Sequence, residues 1–337
     1  WEDAFDPQPK CVHDAKVHTV SLSADGRHLA VGTSSGSVAV WDASTRALII
    51  KKKISDLPIN EIRWHPELSE FSVAGSDSTV TQWAFETGRS SADGVSAGHT
   101  GPHLRHRKTL SGHRRRVFSI AYSTSGSVLA SAGEDGTVRL WQRDELAPAV
   151  IIQHPGRVFC LAYSAGTEPE RLATGCEDGT LRVFDEQGQR VETFQGHRGQ
   201  INALSWNRRS VDPWNIASAG ADGTVRLWRL SKPSERSQPS VHSQSSVFAA
   251  SGGKIWAIES VLGEPLLIAG TESGEVVIWS TSESIPLASF AGHGQPVWDV
   301  SVGPEGQQLW SGGWDGAVRR WDISQAKQFT RTNAPGD

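Results

Sequence analysis

Methionine is absent from the 337-residue sequence, as is any Asn-x-Ser/Thr glycosylation acceptor, and cysteine occurs only three times. The missing methionine rules out an unprocessed translation product and predicts a region of a larger multidomain protein or complex. Cys11, Cys160 and Cys176 show no metal-ligand spacing and leave an odd thiol, which argues for a reducing compartment, cytoplasmic with the nucleus as the alternative. No apolar run approaches the ~18–20 residues a membrane helix requires, and the opening WEDAFDPQPK has neither a basic leader nor an apolar stretch. A charge excess of one sign is lacking too. Lys and Arg number 33 against 37 Asp and Glu, a net charge of -4, so no overall field draws the chain to nucleic acid or anionic lipid. With 37% hydrophobic residues the sequence is not a disordered chain.

Self-similarity, by contrast, is abundant. The segment LASAGEDGTVRLW ending at Trp141 recurs in variant form as segments ending at Trp41, Trp83, Phe184, Trp228, Trp279 and Trp321. The aromatic anchors are separated by 42, 58, 43, 44, 51 and 42 residues. This is a repeat of about 43 residues with two insertions, 87–104 and 231–246, whose Gly, Ser and Pro content reads as surface loop. Within a unit, apolar and polar residues alternate at period two, as in Thr137-Val138-Arg139-Leu140-Trp141, which specifies strand. Asp-Gly pairs at Asp135, Asp178, Asp222 and Asp315 mark tight hairpins between such runs. Small sheets that are apolar on both faces must stack on one another, and a closed ring of seven meets that need.

The array resembles the WD-repeat β-propeller family over nearly its whole length. Trp41-Asp42 and Trp321-Asp322 match the Trp-Asp signature, and Gly112-His113, Gly196-His197 and Gly292-His293 the Gly-His signature. The resemblance implies an all-β fold, a single seven-bladed propeller over residues 1–337, with four-stranded antiparallel blades closed by a terminal strand. Two segments are candidates for closure, 8–13 and Lys327 to Arg331. The first is favoured because it runs directly into His13, at the Gly-His position of the first unit.

Ser-His-Asp sets at Ser131/His113/Asp135 and Ser218/His197/Asp222 have catalytic-triad composition, but they recur too regularly to be active sites. In the resembled family these positions form a buried network: the turn Asp accepts from His, His meets the strand Ser, and Ser bonds the indole N–H. That assigns structural roles to His113, Ser131, Asp135 and Trp141, to His197, Ser218, Asp222 and Trp228, and to His293, Ser311, Asp315 and Trp321. Blades 3, 5 and 7 are therefore expected to be the rigid ones. The fourth unit has His154, Thr174 and Asp178 but ends in Phe184, which has no indole donor. His103 and His106, in or beside the first insertion, are not expected to bind a metal with His113. Cys160 and Cys176 are expected as packing thiols, and the Gly-rich turns match no phosphate-binding fingerprint.

The resemblance also places the second residue of each inner strand at the mouth of a central channel: His18, Asn60, Phe118, Phe159, Asn202, Trp256 and Trp298. Large aromatics at a wet rim mark interaction surfaces, and Trp314 should project at the same face. With Glu134, Glu177 and Glu272 nearby, a cationic, basic guest is favoured, although Arg116 and Arg157 start two of the same strands. The basic clusters Lys51 to Lys53, Arg105, Arg107, Lys108 and Arg114 to Arg116 are the basis of an alternative, a nucleic-acid-associated subunit. A propeller enzyme is the remaining reading, and too few acids and bases gather for it. The sequence predicts a non-catalytic scaffold or recognition module, a monomeric ring without cofactor or membrane partner, that binds a protein or peptide through Phe118, Phe159, Trp256, Trp298, Trp314, Glu134 and Glu177.

Overall fold

Alternating side chains and short hairpin turns build seven small sheets. A computed structural model describes residues 11–88, 101–164, 169–207, 214–231, 240–242, 246–249, 252–281 and 286–324. After β1 (Cys11–Val12), blade 1 holds β2 (Val17–Leu22), β3 (His28–Thr33), β4 (Ser37–Asp42) and β5 (Leu48–Lys53), and blade 2 holds β6 (Ile59–Trp64), β7 (Glu70–Gly75), β8 (Thr79–Glu86) and β9 (His103–Ser111). Blade 3 holds β10 (Val117–Tyr122), β11 (Val128–Gly133), β12 (Thr137–Gln142) and β13 (Val150–Gln153). Blade 4 holds β14 (Val158–Tyr163), β15 (Leu172–Cys176), β16 (Thr180–Phe184) and β17 (Arg190–Gln195). Blade 5 starts with β18 (Ile201–Trp206), β19 (Ile216–Gly220) and β20 (Thr224–Trp228). After an excursion through β21 (Ser240–His242) it is completed by β22 (Ser246–Ala249). Blade 6 holds β23 (Ile255–Ser260), β24 (Leu266–Thr271), β25 (Glu275–Ser280) and β26 (Pro286–Ala291), and blade 7 β27 (Val297–Val302), β28 (Gln308–Gly313) and β29 (Ala317–Asp322).

The ring closes through the N-terminal strand. β1 pairs antiparallel with β29, Cys11 facing Val318 and Val12 facing Ala317, and His13 N–H donates to Gly316 O at 2.8 Å. Residues 8–10 of the favoured closing segment and all of Lys327 to Arg331 lie outside the described residues. The hydrophobic core is divided into seven clusters, each straddling two neighbouring blades; one unites Val17, Val20 and Leu29 of blade 1 with Trp310 and Val318 of blade 7. A blade therefore has no core of its own, and its stability comes from its neighbours. Close approach at these seams requires glycine at Gly312, where a Cβ would come within 2.5 Å of Val17 Cγ1. In the hairpin after the Asp position, Gly136 and Gly223 have φ of 71° and 75°, but blade 2 places Ser78 there at 67°, a left-handed conformation that its Cβ disfavours.

Both insertions contribute strand as well as loop. β9 begins at His103, inside the first insertion, and pairs along its length with β8. In the second, Ser240–His242 pairs in parallel with β17 as a fifth strand of blade 4. Its composition reads as loop because backbone pairing at a sheet edge needs no apolar side chains. Residues 89–100, 232–239 and 243–245 of the insertions lie outside the described residues.

Candidate functional site

The Ser-His-Asp sets are built into blade interiors. In blade 5, His197 Nδ1 lies 3.0 Å from Asp222 Oδ1 and its Nε2 2.7 Å from Ser218 Oγ, which also accepts the Trp228 indole N–H at 2.8 Å. Blade 3 repeats this with His113, Asp135, Ser131 and Trp141, and blade 7 with His293, Asp315, Ser311 and Trp321. Burial lowers the pKa of His113, His197 and His293 despite the opposing aspartates. Burial acts upward on Asp222, yet the Arg198 N–H, the Thr224 hydroxyl and His197 hold it at about 2. A neutral imidazole donating to a carboxylate and accepting from serine fits the distances in blades 3 and 5; in blade 7 Arg319 Nη1 also comes within 2.8 Å of His293 Nδ1. All three serines are fully buried, so no substrate reaches these hydroxyls. In blade 4 only His154 Nε2 to Thr174 Oγ1 remains, at 3.0 Å, because Asp178 turns to Arg182 at 2.7 Å and Phe184 has no donor.

Burial of histidine has a pH consequence. His13 and His154 have no hydrogen-bonded carboxylate among the described residues, and burial pulls both down to about 4 against the weaker upward pull of Asp14 and Asp178. Each binds protons more readily unfolded than folded, so the stability tied to its neutrality is complete above ~6.5 and is lost as pH falls toward 4, at most ~3 kcal/mol per group. The thermal midpoint is expected to drop between pH 7 and 4, and His154→Gln, which takes no proton, to flatten part of that drop. A pH-independent midpoint for wild type over this range would contradict it.

The seven inner strands surround a channel of about 1020 Å³ whose lining includes His18, Asn60, Phe118, Phe159, Asn202, Trp256, Trp298 and Trp314. Each of these eight is half-buried, open to the channel on one side. Their contacts run around the rim. His18 Nδ1–H donates to Ile59 O, Asn60 to Val117 O and Asn202 to Ile255 O, at 3.0, 2.7 and 2.8 Å, each acceptor belonging to the next blade. Where the position is aromatic, stacking replaces the hydrogen bond. Phe118 and Phe159 stack at 5.1 Å, and Trp298 lies between Trp256 at 4.3 Å and Trp314 at 4.7 Å. The aromatics thus form two groups on opposite sides of the mouth, separated by Asn60 and Asn202. The outer ends of the tryptophan stack are covered by the chain's own cations, Lys16 Nζ 3.9 Å from the Trp314 ring and Lys254 Nζ 5.6 Å from Trp256.

Below the mouth lies a charged group that the repeat alignment does not single out. Arg63 Nη2 meets Glu61 Oε1 at 2.6 Å, and Asp299 Oδ2 is 3.7 Å from Arg63 Nη1. Glu61 also accepts the Ile120 N–H at 2.5 Å, Asp299 the Val20 N–H at 2.9 Å and Glu259 the Val302 N–H at 2.9 Å. Thr19, Ser119, Ser205 and Ser301 do the same for Ile62, Leu161, Ser260 and Leu22. Inner strands have no partner on the channel side, so their N–H groups must be satisfied by side chains of the preceding blade. Burial raises the pKa of Glu61 and Asp299, with Arg63 opposing, while the carboxylates around Arg63 more than offset its own burial and raise it. These residues tie blades together. The signal for them was a charge within an otherwise apolar inner strand.

Glu134 and Glu177 lie outside the channel lining and are engaged by the chain itself. Glu134 faces Arg157 at 3.7 Å and Arg115 at 3.9 Å, Glu177 meets Arg157 at 4.0 Å, and Glu272 meets Lys254 at 3.4 Å. The basic clusters on the outer strands of blades 1 and 2 are likewise matched. Lys51 pairs with Asp14, Lys53 with Asp56, Arg105 with Glu86 and Arg107 with Glu70, all within 3.2 Å. His103 sits on β9 against Glu86, Cys160 and Cys176 are free buried thiols, and no cluster of three or more metal-ligating residues occurs among the described residues. Nor is any described helix long and apolar enough to cross a membrane.

Known proteins share this architecture. Residues 104–142, 148–185, 188–229 and 284–322 match the family described as WD domain, G-beta repeat, and residues 3–93 match the Nucleolar protein 10-like, N-terminal domain. Similar curated proteins include Elongator complex protein 2 of Danio rerio, 23% identical over 92% of this chain and 42% of its own, and Protein FIZZY-RELATED 1 of Arabidopsis thaliana, 23% over 92% and 51%. Nuclear distribution protein PAC1 of Arthroderma benhamiae is 23% identical over 79% of this chain and 59% of its own. The chain spans about half the length of these relatives. Seven sheets in a ring, a His-Ser-Trp network in alternate blades and the family matches together place the chain in the WD-repeat β-propeller family.

Proposed function

We propose that the chain is a non-catalytic docking platform that holds a protein or peptide partner at the aromatic mouth of its channel, as part of a larger protein or complex in the cytoplasm. The observation that carries this is the set of five large aromatic side chains, Phe118, Phe159, Trp256, Trp298 and Trp314, left half-open around a channel of about 1020 Å³. Apolar rings packed against one another and still facing water offer a partner rigid surface at little entropic cost, the common property of residues that dominate binding energies. Relatives whose names place them in complexes, such as Elongator complex protein 2, agree with an interaction role.

The test compares affinity capture by wild type, Phe118→Ala, Trp298→Ala and an outer-edge control, Arg190→Ala. A specific partner held by wild type and the control should be lost by both mouth variants, with affinity down at least about 30-fold and the melting temperature within a few degrees of wild type. Retention of every partner by both mouth variants would show that the rings only fill the opening.

A further inference from the structure

The hydrogen-bond inventory of the mouth is lopsided. Its acceptors are occupied: Asn60 Oδ1 takes the Ser76 hydroxyl at 3.1 Å, Asn202 Oδ1 takes Gln200 Nε2 at 2.8 Å, and the three nearby glutamates face Arg115, Arg157 and Lys254. Its donors are not. The indole N–H groups of Trp256 and Trp314 are buried without an acceptor among the described residues. Lys16, over Trp314, and Arg116, which lines the channel mouth, have no described carboxylate partner. Indole N–H groups of Trp41, Trp214 and Trp310 are also buried without a described acceptor, but only at this opening do two such donors lie beside two cations with no described carboxylate, an arrangement that suits a group bringing oxygen lone pairs. The outer faces of the tryptophan stack that would attract a cationic guest are meanwhile covered by Lys16 and Lys254.

We propose that the partner segment taken at this mouth is an acidic peptide, with carboxylates facing Lys16 on one side and Arg116 on the other and an apolar side chain laid on the Phe118 and Phe159 pair. This rests on the docking reading above and reverses the charge of guest that the sequence favours. The aromatic rings remain the contact surface, but the outer faces of the tryptophan stack are satisfied internally.

The test uses fluorescence anisotropy with two labelled peptides, a Glu-rich one with a central Phe and its Lys-rich counterpart. The Glu-rich peptide should bind wild type, weaken as salt rises from ~50 to ~200 mM, and lose at least about tenfold in affinity on Lys16→Glu with Arg116→Glu. Lys16→Gln with Arg116→Gln should give an intermediate loss. Both lysine and arginine are exposed, and a thermal melt checks the fold. Preference for the Lys-rich peptide, indifference to charge reversal, or binding of neither peptide would overturn the proposal. Phe118→Ala separates the two readings. If the Glu-rich peptide responds to charge reversal but not to Phe118→Ala, the anionic preference stands and the aromatic docking surface does not.

Discussion

Trp228→Ala is expected to destabilise the ring by about 4 kcal/mol, and Trp228→Phe by only about 1–2 kcal/mol. The difference separates two contributions that one side chain makes. Trp228 is 1% exposed and packs between blades 4 and 5 with Phe194, Leu181 and Ile216, so truncation to alanine leaves a cavity the size of an indole. Phenylalanine keeps most of that packing and removes only the donor to Ser218 Oγ, leaving the serine to donate to His197 with one lone pair unmet. Blade 4 already has this arrangement, with Phe184 beside His154 and no indole to meet Thr174. Urea unfolding of the two variants beside wild type measures both numbers. Equal losses would mean that the network, rather than packing, sets the contribution of this residue, and a negligible loss for alanine would remove both.

Deleting residues through Val12 is expected to have the other large effect. β1 satisfies the outer edge of β29 through the Cys11 and Val12 ladder, and His13 N–H continues it to Gly316 O. Without it blade 7 has three strands, β29 presents a bare edge, and the seam between blades 7 and 1 keeps only the cluster around Trp310 and Val318 and the Asp299 and Ser301 contacts to Val20 and Leu22. We expect the melting midpoint to fall by about 10 °C or more, with concentration-dependent association through the exposed edge. Adding the missing segment in trans as a peptide should recover part of the midpoint. Light scattering and calorimetry check both effects; an unchanged midpoint and a monodisperse truncated protein would show that closure contributes little.

The ring was legible because its grammar repeats. Period-two strands and a tryptophan or phenylalanine anchor recur in all seven units and the Asp-Gly turn in four, and the second residue of every inner strand could be aligned to the channel mouth. What does not repeat was harder to see. Glu61, Arg63, Glu259 and Asp299 stand at positions where other blades have Thr, Ser, Ala or Cys, so the alignment passes over them, although each carries a charge among apolar neighbours. The engagement of Arg105 and Arg107 by Glu86 and Glu70 was invisible because it depends on which strands lie side by side at the outer rim. The fifth strand of blade 4 escaped for a different reason: a serine- and proline-rich segment pairs there along its backbone, and backbone pairing leaves no trace in side-chain patterning.

The register that seals the ring, Cys11 against Val318, joins residues from almost opposite ends of the described chain. During synthesis the first strand leaves the ribosome long before its partner is made, so the nascent chain must keep this segment unpaired, or held by something else, until blade 7 has emerged. Translation speed through the stretch that encodes blade 7, and any chaperone that shelters the early edge, therefore bear directly on how much of the protein closes into a finished ring.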